Sequence, residues 1–239
     1  MPGQRNLDKF GANLDVDAGS PADVWMAANL AAPQLLWVAP TVAQAHTLTS
    51  TSAQDDIAGT GMRVARLEGL LAGFVEDSED VEMGGLGGAV TTKEWLRLNR
   101  AYGVEWGPSG EQLGDIDVTA NIDGTVSLGW LAEWGQTEQA IYSTPVGVAL
   151  LVSDFYASLI RAGANGGGQV AMRLRENAHL STAGWRTIHT RGFGVGHDLD
   201  HEFQSRYIPP RSDVLLRIIN VTTANMIVSA GFAGRLVRE

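Results

Sequence analysis

The sequence predicts an all-β fold, an antiparallel β-sandwich or jelly roll with an irregular N-terminal arm, and three observations carry that expectation. From about Thr41 onward, apolar and polar residues alternate with the period of two expected of half-buried strands. Glycine-rich punctuation separates the runs, notably Gly84-Gly85-Leu86-Gly87-Gly88 and Gly163-Ala164-Asn165-Gly166-Gly167-Gly168. Long runs of helical period are absent, leaving room for one short helix at most. Many short strands with turns between them favour two layers of sheet around one core.

Residues 1–43 read as the arm. Small residues and turn formers (Gly11, Gly19-Ser20-Pro21, Pro33, Pro40) surround Trp25, Met26, Leu35, Leu36 and Trp37. Burying a tryptophan is worth a few kcal/mol only against a receiving surface. The arm is therefore expected to lie on its own domain or on a neighbouring subunit. Residues 44–239 form the β region, with a seam near Gly135-Gln136 that divides either two subdomains or the halves of one sandwich.

Within that region the clearest strand is 115–121, where Ile116, Val118 and Ala120 alternate with Asp115, Asp117 and Thr119. Asp123-Gly124 supplies a tight turn into 125–128, which makes a hairpin. A second clean alternation puts Val170, Met172 and Leu174 on one face and Ala171, Arg173 and Arg175 on the other. Further strands are expected at 47–52, 62–67, 95–100, 149–158, 186–191, 199–203, 214–219 and 226–232.

Composition narrows the function classes. At 239 residues and 44% hydrophobic, the chain can bury a substantial core without staples, and with no cysteine it has neither disulfides nor thiolate metal sites. That suits a protein made in a reducing cytoplasm. Seventeen basic against twenty-seven acidic residues leave a net charge of −10, which repels nucleic acid unless the basic groups share one face. The first eight residues lack an apolar signal region, and the longest apolar runs, 35–38 and 146–152, fall short of the ~20 residues of a membrane span. Protein partners are expected, without nucleic acid or membrane.

The residues that would carry chemistry do not assemble into a site in the sequence. His197-Asp198-Leu199-Asp200-His201 places four metal-ligand types in five residues, yet on a strand the histidines and aspartates take opposite faces. Asp115 and Asp117 share a strand face about 6.6 Å apart, a spacing compatible with glycoside hydrolysis and equally with any solvated face. The acidic stretch Glu76-Asp77-Ser78-Glu79-Asp80, with Glu82, lacks the spacing of a calcium loop and reads as a solvated loop. No nucleophile elbow, phosphate loop or dinucleotide fingerprint occurs, so no catalytic, cofactor or metal residue is assigned and an enzyme is not expected. Arginines recur in pairs beside strands: Arg97 and Arg100, Arg173 and Arg175, Arg186 and Arg191, Arg206 and Arg211. Their planar donors suit carboxylates across an interface.

The opening Phe10-Gly-Ala-Asn-Leu-Asp-Val-Asp-Ala-Gly with Asp23-Val24-Trp25 resembles the start of virion structural proteins of tailed, often marine, bacteriophages. In order, the further matches are Asp55-Asp56, Ala58-Gly59-Thr60-Gly61-Met62-Arg63-Val64 with Glu68-Gly69-Leu70, residues 91–100, and Gly135-Gln136 with Ile141-Tyr142-Ser143-Thr144-Pro145-Val146-Gly147. Arg173-Leu174-Arg175-Glu176, His201-Glu202-Phe203 and Val228-Ser229-Ala230-Gly231-Phe232 complete them. The matches are turn and strand sequences without chemistry. Between Leu70 and Val90 such proteins usually continue an alternating strand pair, whereas here the segment is acidic and then glycine-rich.

The resemblance implies a virion component and does not fix its place in the virion. The leading expectation is a capsid decoration or cement protein that forms a dimer or trimer and binds between major capsid subunits. Its interface is expected at Trp25, Leu35, Leu36, Trp37, Arg206 and Arg211. The rivals are a tail, neck or fibre-base component, and a carbohydrate-binding β-sandwich using Trp106, Trp130 or Trp134 to stack on sugars.

Overall fold

A computed structural model describes residues 4–160, 166–194 and 205–239. Two compact units divide the chain. Unit 1 joins Met1–Ala28 to Glu138–Glu239, and unit 2 is the intervening Asn29–Thr137. In chain order the strands are β1 (Gln4–Val16), β2 (Ala22–Asp23), β3 (His46–Ser50), β4 (Met62–Leu71), β5 (Val75–Glu82), β6 (Ala89–Val90), β7 (Trp95–Trp106) and β8 (Ile116–Ala120). They continue with β9 (Val126–Trp130), β10 (Ile141–Ser143), β11 (Val148–Ile160), β12 (Gly167–Arg175), β13 (Arg186–Gly194), β14 (Arg206–Ile208), β15 (Asp213–Val221) and β16 (Met226–Arg238). Only short 3₁₀ turns interrupt them among the described residues. The all-β antiparallel expectation holds.

Unit 1 consists of one sheet in the order β1-β16-β11-β14 and a second in the order β10-β15-β12-β13, with β2 beside β15. A single apolar cluster draws on both sheets: Phe155, Val228 and Phe232 from the first, Met172, Leu216 and Ile218 from the second. Val170, Met172 and Leu174 point into it as their alternation requires. Unit 2 repeats the scheme with sheets β6-β3-β8-β9 and β5-β4-β7 around Leu48, Leu67, Trp95, Ile116, Val118 and Trp130. Its predicted hairpin forms as β8 and β9, and Gly124 adopts φ 67° in the connecting turn. That left-handed geometry is one a side chain with a Cβ resists.

Of the two organisations expected for 44–239, the chain shows two units, although the first of them also takes in residues from the expected arm. Unit 2 is inserted in unit 1 between β2 and β10, and the expected seam at Gly135-Gln136 lies just before its exit at Thr137. The irregular arm is corrected. Residues 4–16 form β1, paired along most of its length with β16. Residues 34–41 are tied to unit 2: the Gln34 amide donates to Val126 O (3.1 Å) and accepts from Val126 N (3.1 Å), filling the free edge of β9 as a peptide would. Thr41 N donates to Asp123 Oδ2 at 2.8 Å.

The acidic stretch 76–82 is an edge strand and not a loop. Val81 turns into the core, and Glu79 turns to the β7 side, where Oε1 accepts from Thr92 N (2.6 Å) and Oε2 from Trp95 Nε1 (3.2 Å). Lys93 Nζ donates to Ser78 O at 2.7 Å. Charge and a plugged carbonyl are devices that keep an exposed edge from pairing with other chains.

Candidate interaction site

The six predicted interface residues separate into two groups. Trp25 is fully buried and Trp37 is 5% exposed within the chain itself, so neither ring is available to a neighbour. Trp37 lies over Arg97, whose guanidinium carbon is 5.9 Å from its ring centroid and 5.5 Å from that of Phe74, and Arg97 Nη1 donates to Pro40 O at 3.0 Å. The receiving surface that a tryptophan needs is thus supplied intramolecularly. Leu35 and Leu36 remain 44% and 38% exposed. They belong to a stretch from Val24 to Gln54 that contains no Asp, Glu, Lys or Arg. Arg206 and Arg211 are half-buried, and Arg211 takes a left-handed φ of 55° while its N–H donates to Thr144 O.

The metal-ligand types at 197–201, and the strand expected at 199–203, fall outside the described residues. Among the described residues no three His, Asp or Glu side chains converge as a metal site requires. Asp115 precedes β8 and accepts from Ala132 N at 2.9 Å, which closes the connection after β9. Asp117 lies on the outer face of β8, and burial pushes its carboxyl above the usual range. Of the two carboxylates, Asp115 is thus engaged by backbone, whereas Asp117 accepts from the Thr119 hydroxyl at 3.4 Å. Trp130 is fully buried, so of the three tryptophans proposed for sugar stacking only Trp106, half-buried, and Trp134, exposed, reach the surface.

Four buried polar centres escape a reading of the sequence. In unit 1, Asp23 is fully buried and accepts from Arg217 Nε (2.6 Å) and Nη2 (3.0 Å), a bidentate pair across β2 and β15. One strand over, Asp213 accepts from Arg175 and from Ser143 Oγ (2.6 Å), while Arg175 also stacks on Trp185 at 5.0 Å. A planar fork is suited to this use, since a buried carboxylate needs donors. The recurring strand arginines are the visible signal; their partners, far away in sequence, are not.

In unit 2 the fully buried Asp55 solves the same problem with backbone. Its oxygens accept from Ser50 Oγ (2.7 Å), Met62 N (2.9 Å), Leu113 N (3.0 Å) and Gly114 N (2.9 Å). A Cβ on Gly61 would collide with Asp55 Oδ1, which gives a packing reason for that glycine. His46 is equally enclosed. Since the Gln44 carbonyl can only accept, Nδ1 carries the proton and donates to it (3.0 Å), leaving Nε2 to accept from Ser127 Oγ (3.0 Å). Burial holds its pKa down, so the ring is neutral.

Charge divides by unit. Unit 2 contains fifteen acidic and five basic residues and so carries the whole −10, whereas unit 1 has twelve of each.

No family model matches the chain, and no curated protein matches it. A solved structure of infectious bursal disease virus, Gt strain, aligns over 99% of this chain and 73% of that one, with 9% identity and a TM-score of 0.25. A likeness of that degree carries no argument about fold or function.

Proposed function

We propose that unit 1 is a jelly roll and that the chain is a virion structural protein which attaches to the capsid, as a decoration protein does. The strand order carries this reading. Leaving aside the two-residue β2, the eight strands β1 and β10 to β16 become first to eighth in unit 1, and its sheets then read 1-8-3-6 and 2-7-4-5. First lies beside eighth, second beside seventh, third beside sixth and fourth beside fifth. That is a long hairpin rolled into two sheets, the arrangement found in viral capsid and lectin domains. The phage-like motifs favour the first of these uses. Unit 2, with two short sheets and its own core, is then a small sandwich inserted in the first connection of the roll.

Co-sedimentation of the purified chain with empty capsids tests the reading. Binding at a fixed ratio to the major capsid protein supports it. A chain that stays in the supernatant at every ratio overturns the decoration role and moves weight to a tail or neck position. The sugar-binding alternative rests on the exposed Trp134 and on Trp106, whose ring would lie 3.2 Å from a Cβ built on the adjoining Gly135. It requires glycan-induced quenching of tryptophan fluorescence that is lost in Trp134→Ala.

A further inference from the structure

We infer that the outer face of the β1-β16-β11-β14 sheet is a self-association surface that takes the same face of a second copy in a two-fold dimer. This inference stands apart from the virion reading. The middle strand of the face carries small residues: β16 presents Ser229, Gly231 and Ala233 outward, opposite in sense to the core residues Phe232 and Leu236. Tyr156 lies across Gly231, where a Cβ would collide with its phenol, so the ring covers the glycine and stays 40% exposed. Leu151 and Tyr207, paired across β11 and β14, are likewise exposed. Antiparallel sheets facing water normally present polar residues there.

An axis between the Ala233 and Arg235 rows overlaps about nine residues of β16 and of β11 with about seven of β1. At standard strand spacing and rise that is roughly 400 Å² per copy, the size of a weak, reversible contact.

Charge identifies the partner as another copy. On this face Ala233 sits between Asp8 and Asp154 in one cross-strand row, and Arg235 sits between Asn6 and Leu151 in the next outward row along β16. All of the charged members are exposed. A two-fold axis running across the strands between these rows lays the Arg235 of each copy over the small Ala233 of the other, between its Asp8 and Asp154. Each guanidinium then meets two carboxylates, and the contact is made twice by symmetry. Unit 1 has no net charge to oppose the approach.

The test is the solution mass of the full chain by light scattering over a concentration series. The unaltered chain is expected to approach twice its 25.5 kDa monomer mass as concentration rises. Arg235→Glu, which sets a carboxylate between two others, should raise the dimer dissociation constant at least about 100-fold while the monomer keeps the circular dichroism of the folded chain. Combining it with Asp8→Arg and Asp154→Arg should restore the dimer. Three results would each overturn the inference: a monomer up to roughly millimolar chain; a dimer indifferent to Arg235→Glu; or a folded triple variant that stays monomeric.

Discussion

The two units build the same kind of core, two antiparallel sheets around one apolar cluster, but handle charge in opposite ways. Unit 1 is balanced and places Asp23 and Asp213 fully inside, each against an arginine whose side chain is only 16% or 19% exposed. Unit 2 is strongly acidic and leaves most carboxylates on its surface, where Arg66 and Asp80 form a pair 41% and 45% exposed. Its fully buried carboxyl, Asp55, is held by backbone N–H groups instead. A buried carboxyl group needs donors, and either a guanidinium or a converging set of amides will serve.

The largest effect that would break the comparison comes from Asp55→Ala. It strands three backbone N–H groups and a hydroxyl at about 1–3 kcal/mol each, so unit 2 should lose roughly 4 kcal/mol or more. Five of the seven tryptophans lie in unit 2, so fluorescence-monitored denaturation reads mainly that unit. An unchanged fluorescence transition would remove Asp55 from its central place.

Next in size, Asp213→Ala leaves a mostly enclosed guanidinium without its carboxylate and should cost about 3 kcal/mol in unit 1. Asp80→Ala in unit 2 should cost less than about 1 kcal/mol, because water already screens that pair. Equal losses in urea melts would show that burial does not separate the two kinds of ion pair here.

Smaller shifts should follow salt and pH. Raising sodium chloride from about 0.05 to 0.5 M shortens the screening length to a few ångströms, so the unit 2 midpoint should rise while that of unit 1 stays in place. For Asp117 the folded chain takes up the proton at higher pH than the unfolded chain does, since burial raises its pKa. Its contribution therefore improves as pH falls through that raised value towards the unfolded one. Asp117→Asn should make unit 2 more stable at pH 7, by less than about 1 kcal/mol, and remove that slope. Asp80 acts in the reverse sense, because its bonds to Arg66 hold its pKa down and their contribution is lost below the unfolded value.

Alternation makes the interior strands legible in the sequence. β8, β9 and β12 have one face in a core and apolar residues at every second position, whereas β15 and β16 stand out as nearly continuous apolar runs. β1 escapes because it is an edge strand rich in Asn, Asp and Lys, with Gly11 at a point where a Cβ would meet the backbone of Val24 and Ala140. β5 escapes because its edge is defended with carboxylates, which read as a loop when the period is not followed through Val81 and Glu79. The buried charges are legible only by half: arginines on strands are visible, but the pairing of Asp23 with Arg217 spans nearly the whole chain. Trp25 and Trp37 mislead for a related reason. A tryptophan in an irregular segment announces a contact without saying whether the contact lies within the chain.

The insertion also orders the events of synthesis. β1 is hydrogen-bonded to β16, with Gln4 opposite Val237, so the earliest strand must wait for the latest. Such distant pairings are slow to close, and domains usually fold as their sequence leaves the ribosome. Unit 2 is complete at Thr137, before most of unit 1 has been made. The nascent chain would then carry a folded, acidic body between two unfinished parts of unit 1, and its negative charge would keep that half-made molecule from clumping with its neighbours until the last strand arrives.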